Sequence, residues 1–242
     1  MKKRWIAVIL TAMTLAALLA GCGGAAEKPS GTLDTPTPTA QPTEAPEETA
    51  APEETPAPDE TMLTLGTIQG GRYENETLGI GAEFDSDWLI ADREELNALG
   101  GLAAEVITDE ELRAAMEKAD YFYDLYARTE DNALLVQLVF EKLNAVAAAL
   151  YDEDKYADAV KDQIADSFAK QGAKSCDVEK VTLDFAGAER TALNITVEFE
   201  GGFVYEKAIF FQTGGYMATL TLISSQSDFT DDMTGLFFGL DD

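Results

Sequence analysis

Alternating apolar and polar residues in the last third of the chain predict four consecutive strands. The runs are Val178 to Phe185, Glu189 to Phe199, Phe203 to Gln212 and Tyr216 to Ile223. The glycine-containing pairs between them, 186–187, 201–202 and 214–215, are typical of hairpin turns. Apolar and polar residues alternate along the second run, which predicts that one face of the sheet is exposed to solvent. The last run is apolar on both faces over much of its length and therefore predicts a central strand.

A four-residue period between about Glu153 and Gln171 predicts the longest helix of the chain. Its apolar stripe is Tyr156, Val160, Ile164 and Phe168, and a second row is Asp154, Asp158, Asp162 and Asp166. Gly172 follows at the position where a left-handed residue often ends a helix. A row along a convex helix face cannot surround a cation, so we interpret the aspartates as a solvated face.

Shorter patterns fill the rest of the domain. The predicted strands are 62–68, Gly79 to Phe84, Tyr121 to Tyr126 and Ala133 to Phe140. The predicted helices are Asp92 to Leu99, Thr108 to about Lys118, and a final helix capped by Ser227. The final helix carries Phe229, Met233, Leu236, Phe237 and Leu240 on one face. Together the elements predict one α+β domain over residues 62–242, with a largely antiparallel sheet flanked by helices.

The chain begins with a pattern typical of an exported protein. A basic start, Lys2 to Arg4, precedes an uncharged apolar run that is shorter than a membrane-spanning helix, so we predict a signal peptide over residues 1–21. Residues 19–22, Leu-Ala-Gly-Cys, resemble the bacterial lipobox. This resemblance implies cleavage before Cys22 and diacylglycerol on its sulfur, which would anchor the chain to the extracytoplasmic face of a membrane. An ordinary signal peptide followed by a chance cysteine is the alternative.

Residues 22–61 differ sharply in composition from the rest of the chain. After the cysteine they are dominated by Pro, Thr, Ala and Glu, with no aromatic residue. Such a segment cannot bury enough apolar surface to offset its conformational entropy, so we predict a disordered linker. Proline and like charges favour an extended tether, which would reach roughly 120 Å at full extension.

Charge and missing residue types exclude several classes of function. The 45 acidic and 17 basic residues give a net charge of −28, which repels nucleic-acid phosphates and anionic lipid head groups. The absence of histidine excludes Ser-His-Asp and Cys-His catalysis and histidine-containing zinc sites. After lipidation of Cys22, Cys176 is the remaining thiol, and we interpret it as a half-buried structural cysteine.

Acidic residues are the remaining candidates for chemistry. Asp85 and Asp87 flank a turn before Trp88, but catalytic carboxylates of glycosidases face each other across a cleft, so we interpret the two aspartates as turn residues. The segments beginning at Asp85 and Asp152 start a calcium-loop pattern and do not continue it. The sequence therefore predicts no catalytic residue, no cofactor and no metal site.

The order of the N-terminal motifs resembles a known family. Tyr73-x-Asn75, Gly79-Ile80, Phe84 and Trp88, followed by the hairpin, the long helix and the meander, resemble small lipoproteins of gut clostridia with a PsbP-like α-β-α sandwich. That family has no agreed activity and no catalytic set. The wider fold mostly serves in protein binding and assembly, so the resemblance implies a binding role.

The sequence favours a membrane-anchored, extracytoplasmic binding or assembly module that is not an enzyme. Its expected partners are the membrane lipid, through Cys22, and a protein of the cell envelope, with no nucleic acid. Two alternatives remain open at this point. One is a carbohydrate- or wall-active enzyme that uses paired carboxylates, and the other is a substrate-binding lipoprotein of a transporter.

Overall fold

The structure is a computed structural model that describes residues 63–101, 116 and 118–240. The strands are β1 (Thr67–Gln69), β2 (Arg72–Asn75), β3 (Ile80–Glu83), β4 (Trp88–Ile90), β5 (Tyr121–Thr129), β6 (Leu134–Lys142), β7 (Ser175–Phe185), β8 (Ala188–Phe199), β9 (Gly202–Thr213), β10 (Tyr216–Ser224) and β11 (Phe237–Gly239). The helices are α1 (Arg93–Leu99), α2 (Ala145–Leu150), α3 (Glu153–Lys170) and α4 (Thr230–Thr234). The predicted signal peptide, Cys22 and the predicted linker lie outside these residues, as does most of the helix predicted from Thr108.

The strands form two antiparallel sheets. The large sheet has the order β4-β5-β6-β10-β9-β8-β7, and the small sheet has the order β1-β2-β3-β11. The α+β class with a largely antiparallel sheet and flanking helices is therefore confirmed. The central position predicted for the last meander strand is also confirmed, because β10 lies between β6 and β9 with three strands on either side.

Helix α3 covers one face of the large sheet. Its stripe of Tyr156, Val160, Ile164 and Phe168 is buried against β8 and β9, as the four-residue period predicted. The Asp152 side chain caps the helix by accepting a hydrogen bond from Lys155 N at 2.8 Å. Helix α1 packs on the same sheet face above β5 and β6, with Leu96 buried against Tyr123 and Val139.

The small sheet covers the opposite face of the large sheet. Its inward side chains, such as Tyr73 and Ile80, pack with Phe140 and Phe211 in the largest buried cluster. The sequence pattern predicted one sheet and did not reveal that the first strands separate from it. The reason is that a short strand reads the same whether it joins one sheet or another, since only the pairing partner differs.

The predicted final helix is wrong beyond Thr234. Helix α4 has a single turn and ends at Gly235, and Phe237 to Gly239 then form β11, which pairs with β3. The N-cap residue is Phe229, and no side chain caps the helix, so the predicted cap at Ser227 is wrong. Asp228, one residue before Phe229, accepts a hydrogen bond from Thr230 N at 3.1 Å. Phe237 contacts the rings of Phe84 and Phe185, so its burial is explained by sheet packing and not by a helix face.

Candidate functional site

A fully buried carboxylate, Asp124, lies at a bulge in β5. The register with β6 shifts between Tyr123 and Leu125, so Asp124 has no partner residue in the ladder. Its oxygens accept hydrogen bonds from Gly66 N at 3.0 and 2.9 Å, from Tyr73 Oη at 2.7 Å and from Asn75 Nδ2 at 2.7 Å. Arg93 Nη2 adds an ion pair at 3.2 Å. The bulge thus ties the small sheet and α1 to the large sheet.

The Asp124 network explains the Tyr73-x-Asn75 motif. Alternate residues of β2 point to one side, and both side chains reach the same carboxylate oxygen. Burial and the adjacent charge of Asp124 raise the pKa of Tyr73 well above its ordinary value, which keeps the phenol a donor. Gly66 must be a glycine, because a Cβ there would lie 2.2 Å from the Tyr73 ring. Since every oxygen of Asp124 is occupied, we assign the network a structural role.

The candidate residues from the sequence that the structure describes all have structural positions. Cys176 is half-buried on β7, and burial, with nearby Glu206 and Asp177, raises its thiol pKa to about 11, so it is not an activated nucleophile. Asp85 accepts a hydrogen bond from Asp87 N at 3.0 Å, which confirms the turn. Lys180 of β7 forms ion pairs with Asp154 and Asp158 on the solvated side of α3.

Two other carboxylates have a raised pKa, yet they do not form a catalytic pair. Burial raises the pKa of Glu141 to about 7, even though Tyr156 Oη donates a hydrogen bond to it at 2.6 Å. Burial alone raises the pKa of Glu206 to about 7. Glu141 is paired in register with Met217 and Glu206 with Ile223. These β10 residues are six positions apart, or about 20 Å along a strand, which is too far for shared acid–base chemistry.

Helix α2 is the most unusual surface of the described residues. Its six residues, Ala-Val-Ala-Ala-Ala-Leu, are all apolar, and none of them is buried. Val146 and Leu150, one helical turn apart, are 67% and 60% exposed. An apolar helix normally packs into a core or against a partner. The sequence analysis missed it, although the uncharged run 143–151 between Lys142 and Asp152 was a visible signal.

The surroundings hold α2 in place without covering it. The Asn144 side chain caps its start by accepting from Val146 N and Ala147 N at 3.1 and 2.9 Å. Gln212, near the end of β9, donates its side-chain amide to Ala148 O at 3.0 Å. The helix is therefore fixed at the end of the large sheet where the central strands β6 and β9 end and β10 begins.

No family model and no curated protein matches the chain. Among solved structures, it is similar to the cyanobacterial PsbP protein CyanoP from Synechocystis, with 13% identity, a TM-score of 0.43, and coverage of 72% of this chain and 98% of that one. It is also similar to LpqN, involved in cell envelope biogenesis of Mycobacterium tuberculosis, with 13% identity, a TM-score of 0.30, and coverage of 65% and 75%. A PsbP protein is thus among the similar folds, and the relation to clostridial lipoproteins stays a prediction.

A third similar structure is a putative regulator of unknown function from Pseudomonas aeruginosa, with 14% identity, a TM-score of 0.28, and coverage of 42% of this chain and 66% of that one.

Within residues 63–101 and 118–240, no helix combines the length and apolar character needed to cross a bilayer. The same part of the chain holds no cluster of three or more acidic or cysteine side chains arranged to bind a metal ion.

Proposed function

We propose that this protein is a lipid-anchored, extracytoplasmic binding module that is not an enzyme and that engages a protein partner through α2. The observation that carries the proposal is the exposure of a wholly apolar helix on an otherwise acidic domain. The lipid anchor at Cys22 is the part of the proposal that depends on the sequence alone. The linker would then leave the domain free to meet a partner in the envelope.

The energy available at α2 supports docking. Burying a valine or leucine side chain contributes roughly 1.5–3 kcal/mol, so burial of Val146 and Leu150 on binding would stabilise an interface. Their spacing of four residues presents both side chains on one helix face, the arrangement with which helices enter apolar grooves. Because the surrounding contacts already fix the helix, little conformational entropy remains to be lost on binding.

Charge supports a basic partner. Asp120, Asp184 and Glu189 lie at the same end of the large sheet as α2, are exposed, and form no ion pair with any residue of the described ranges. A second copy of this chain, itself at −28, would be repelled, and so would an anionic lipid surface. The surface therefore fits a protein with an apolar cleft and a basic rim.

Site-specific photocrosslinking in intact cells tests the proposal. A benzoylphenylalanine at Ala149 of α2 is expected to give a discrete adduct with one protein. The double variant Val146→Ser/Leu150→Ser is expected to abolish that adduct while leaving the protein folded. The matched control carries the probe at Phe203, which is 46% exposed on β9, and should give no such adduct.

Three results would contradict the proposal. The first is the absence of any adduct from position 149 in a folded, surface-displayed protein. The second is an adduct of the same size from positions 149 and 203, since that would indicate random proximity and not docking at α2. Crosslinking only to a second copy of the chain would show self-association and would also contradict it.

A further inference from the structure

A half-open cleft lies between α1 and the β4–β5 edge of the large sheet, far in the sequence from α2. It has a volume of about 390 Å³, within the range of small-molecule sites, and its walls include Leu89, Ile90, Ala98, Leu99, Tyr126 and Arg128. The aliphatic side chains come from both sides, β4 and α1. Tyr126 and Arg128, two residues apart on β5, project from the same face of the strand.

Arg128 is the unusual member of this cleft. Its Nη1 donates to Thr129 O at 3.5 Å, at the end of β5, and to Asn132 Oδ1 at 3.0 Å, in the β5–β6 turn. The other arginines of the described residues, Arg72, Arg93 and Arg190, each form an ion pair, whereas Arg128 forms none. In a chain with 45 acids and 17 bases, a half-buried arginine that pairs with no carboxylate of the described residues is a notable exception.

The bonds to the turn leave half of the guanidinium available. Arg128 Nε and Nη2 make no hydrogen bond with any residue the structure describes, and they form the second edge of a planar fork that suits a carboxylate. Burial raises the pKa of the Tyr126 phenol, while the Arg128 charge acts to lower it. The phenol is thus a neutral donor close to the guanidinium.

The one acid of the cleft is already engaged. Glu95 Oε2 accepts a hydrogen bond from Asp92 N at 3.1 Å as part of the capping box that starts α1. No ion pair joins Glu95 to Arg128. The cleft therefore combines apolar walls with Arg128, which forms no ion pair with a described residue, and with Glu95, whose exposed carboxylate is held at the start of α1.

We infer that this cleft binds a small amphipathic carboxylate. The carboxylate would take the free edge of Arg128, with Tyr126 as an additional donor, and the aliphatic part would lie against Leu89, Ala98 and Leu99. A neutral ligand would leave the arginine unneutralised in a partly apolar cleft, and a cationic ligand would be repelled by it.

Titration of the domain with octanoate, followed by calorimetry and by NMR shifts of the Ala98 and Leu99 methyl groups, tests this inference. Octanoate is expected to bind saturably, and octanol and octylammonium at least about tenfold more weakly, because a charge-assisted hydrogen bond contributes about 1.5–3 kcal/mol. Arg128→Gln should weaken octanoate binding by a similar factor and remove the preference over octanol. Arg72→Gln, on the small sheet, is the matched control and should bind octanoate normally.

A second variant tests the cleft itself and not its charge. Ala98→Trp, at an exposed position of α1, is expected to fill the cleft and to abolish binding of octanoate and octanol alike. The inference is overturned if folded wild-type protein shows no saturable octanoate binding. It is also overturned if Arg128→Gln binds octanoate as wild type does, or if Ala98→Trp leaves binding unchanged. None of these outcomes bears on partner docking at α2.

Discussion

At the scale of single residues, the buried carboxylate of Asp124 has a structural role. Asp124 accepts hydrogen bonds from Gly66, just before the small sheet, from two side chains of β2 and from Arg93 of α1, so the attachment of the small sheet and α1 to the large sheet depends on one side chain. A buried carboxylate with this many partners stabilises one relative arrangement of the layers. Removing it leaves the Arg93 charge and several polar groups without compensation.

Replacing Asp124 should therefore be costly. Asp124→Ala is expected to lower the free energy of unfolding by about 3–5 kcal/mol, the cost typical of breaking a buried ion pair from one side. Urea titration measures the loss. Asp120→Ala, an exposed aspartate just before β5, is the control and should change stability by less than about 0.5 kcal/mol. Equal losses in the two variants would show that the network is not what holds the layers.

Glu206 gives the protein a pH-dependent stability with a definite sign. Its pKa rises from 4.5 to about 7 in the folded state, so above pH 4.5 the unfolded chain releases this proton first. The associated stability is fully present below pH 4.5 and is lost as the pH rises through 7. Glu206→Gln should remove this loss, so its stability relative to wild type should increase by about 3 kcal/mol between pH 4 and pH 8.

Denaturant titrations at a series of pH values provide the measurement for Glu206. Glu179→Gln, on an exposed position of the edge strand β7, is the control and should give a difference from wild type that does not change with pH. A flat difference for Glu206→Gln as well would mean that the buried carboxyl is ionised throughout, contrary to the prediction.

Residue roles could be predicted from the sequence only where both partners are close along the chain. The turn at Asp85 was predicted and depends on neighbours within three residues, as does the capping box of Asp92 and Glu95, which was not predicted. The Tyr73-x-Asn75 motif was visible, but its partner is Asp124, about fifty positions away, at a bulge that no periodicity marks. Likewise, the absence of an ion pair between Arg128 and the described residues follows from which strands and helix surround it, and the sequence does not show this.

At the scale of elements, strong periodicity predicted correctly and short segments did not. Helix α3 and the four meander strands have the predicted bounds within a few residues, because each buries a long stripe of apolar side chains. The prediction for the terminal segment failed because the helix period of Phe229, Met233 and Phe237 continues past the end of α4, whereas β11 has only three residues and is too short for a period of its own to mark it. Gly81 allows β11 to pair with β3, since only a glycine at this position of β3 leaves room for the Phe238 ring of β11.

The end of α3 offers a test of one backbone conformation. Gly172 has φ of +91° and open space where a Cβ would lie, so a substitution there meets conformational strain and no steric contact. Gly172→Ala should lower the free energy of unfolding by about 1–2 kcal/mol, the cost of a left-handed conformation for an L-residue. Thermal or urea unfolding measures this loss. Gly201→Ala, also in open space but without positive φ, should be nearly neutral, and equal effects would refute the assignment.

At the scale of the whole molecule, a strong negative charge surrounds two exceptions, the apolar helix α2 and the cleft of Arg128. Composition alone showed the charge and what it repels. It did not show the exceptions, because exposure and the absence of an ion pair are properties of the folded surface. The two sites lie in different parts of the sheet, so one could be occupied without blocking the other.

The proposed anchor predicts where the protein is found. Cys22→Ser should move the protein from the membrane fraction to the soluble extracytoplasmic fraction and should abolish labelling with radioactive palmitate, because the thiol is the acceptor of the lipid. Cys176→Ser is the matched control, and it should stay membrane-bound and labelled. Retention of the Cys22→Ser protein in the membrane fraction would contradict the anchor.

The pairing of β11 with β3 also determines when the domain can be completed. Phe237 lies opposite Ala82, so the small sheet closes only after nearly all of the intervening chain has been synthesised. Until then, β3 keeps an open edge and the Phe84 and Phe185 rings lack the side chain that covers them. A ribosome-bound chain therefore cannot complete the small sheet before Phe237 has been synthesised. Late completion is compatible with the export that the predicted signal peptide implies.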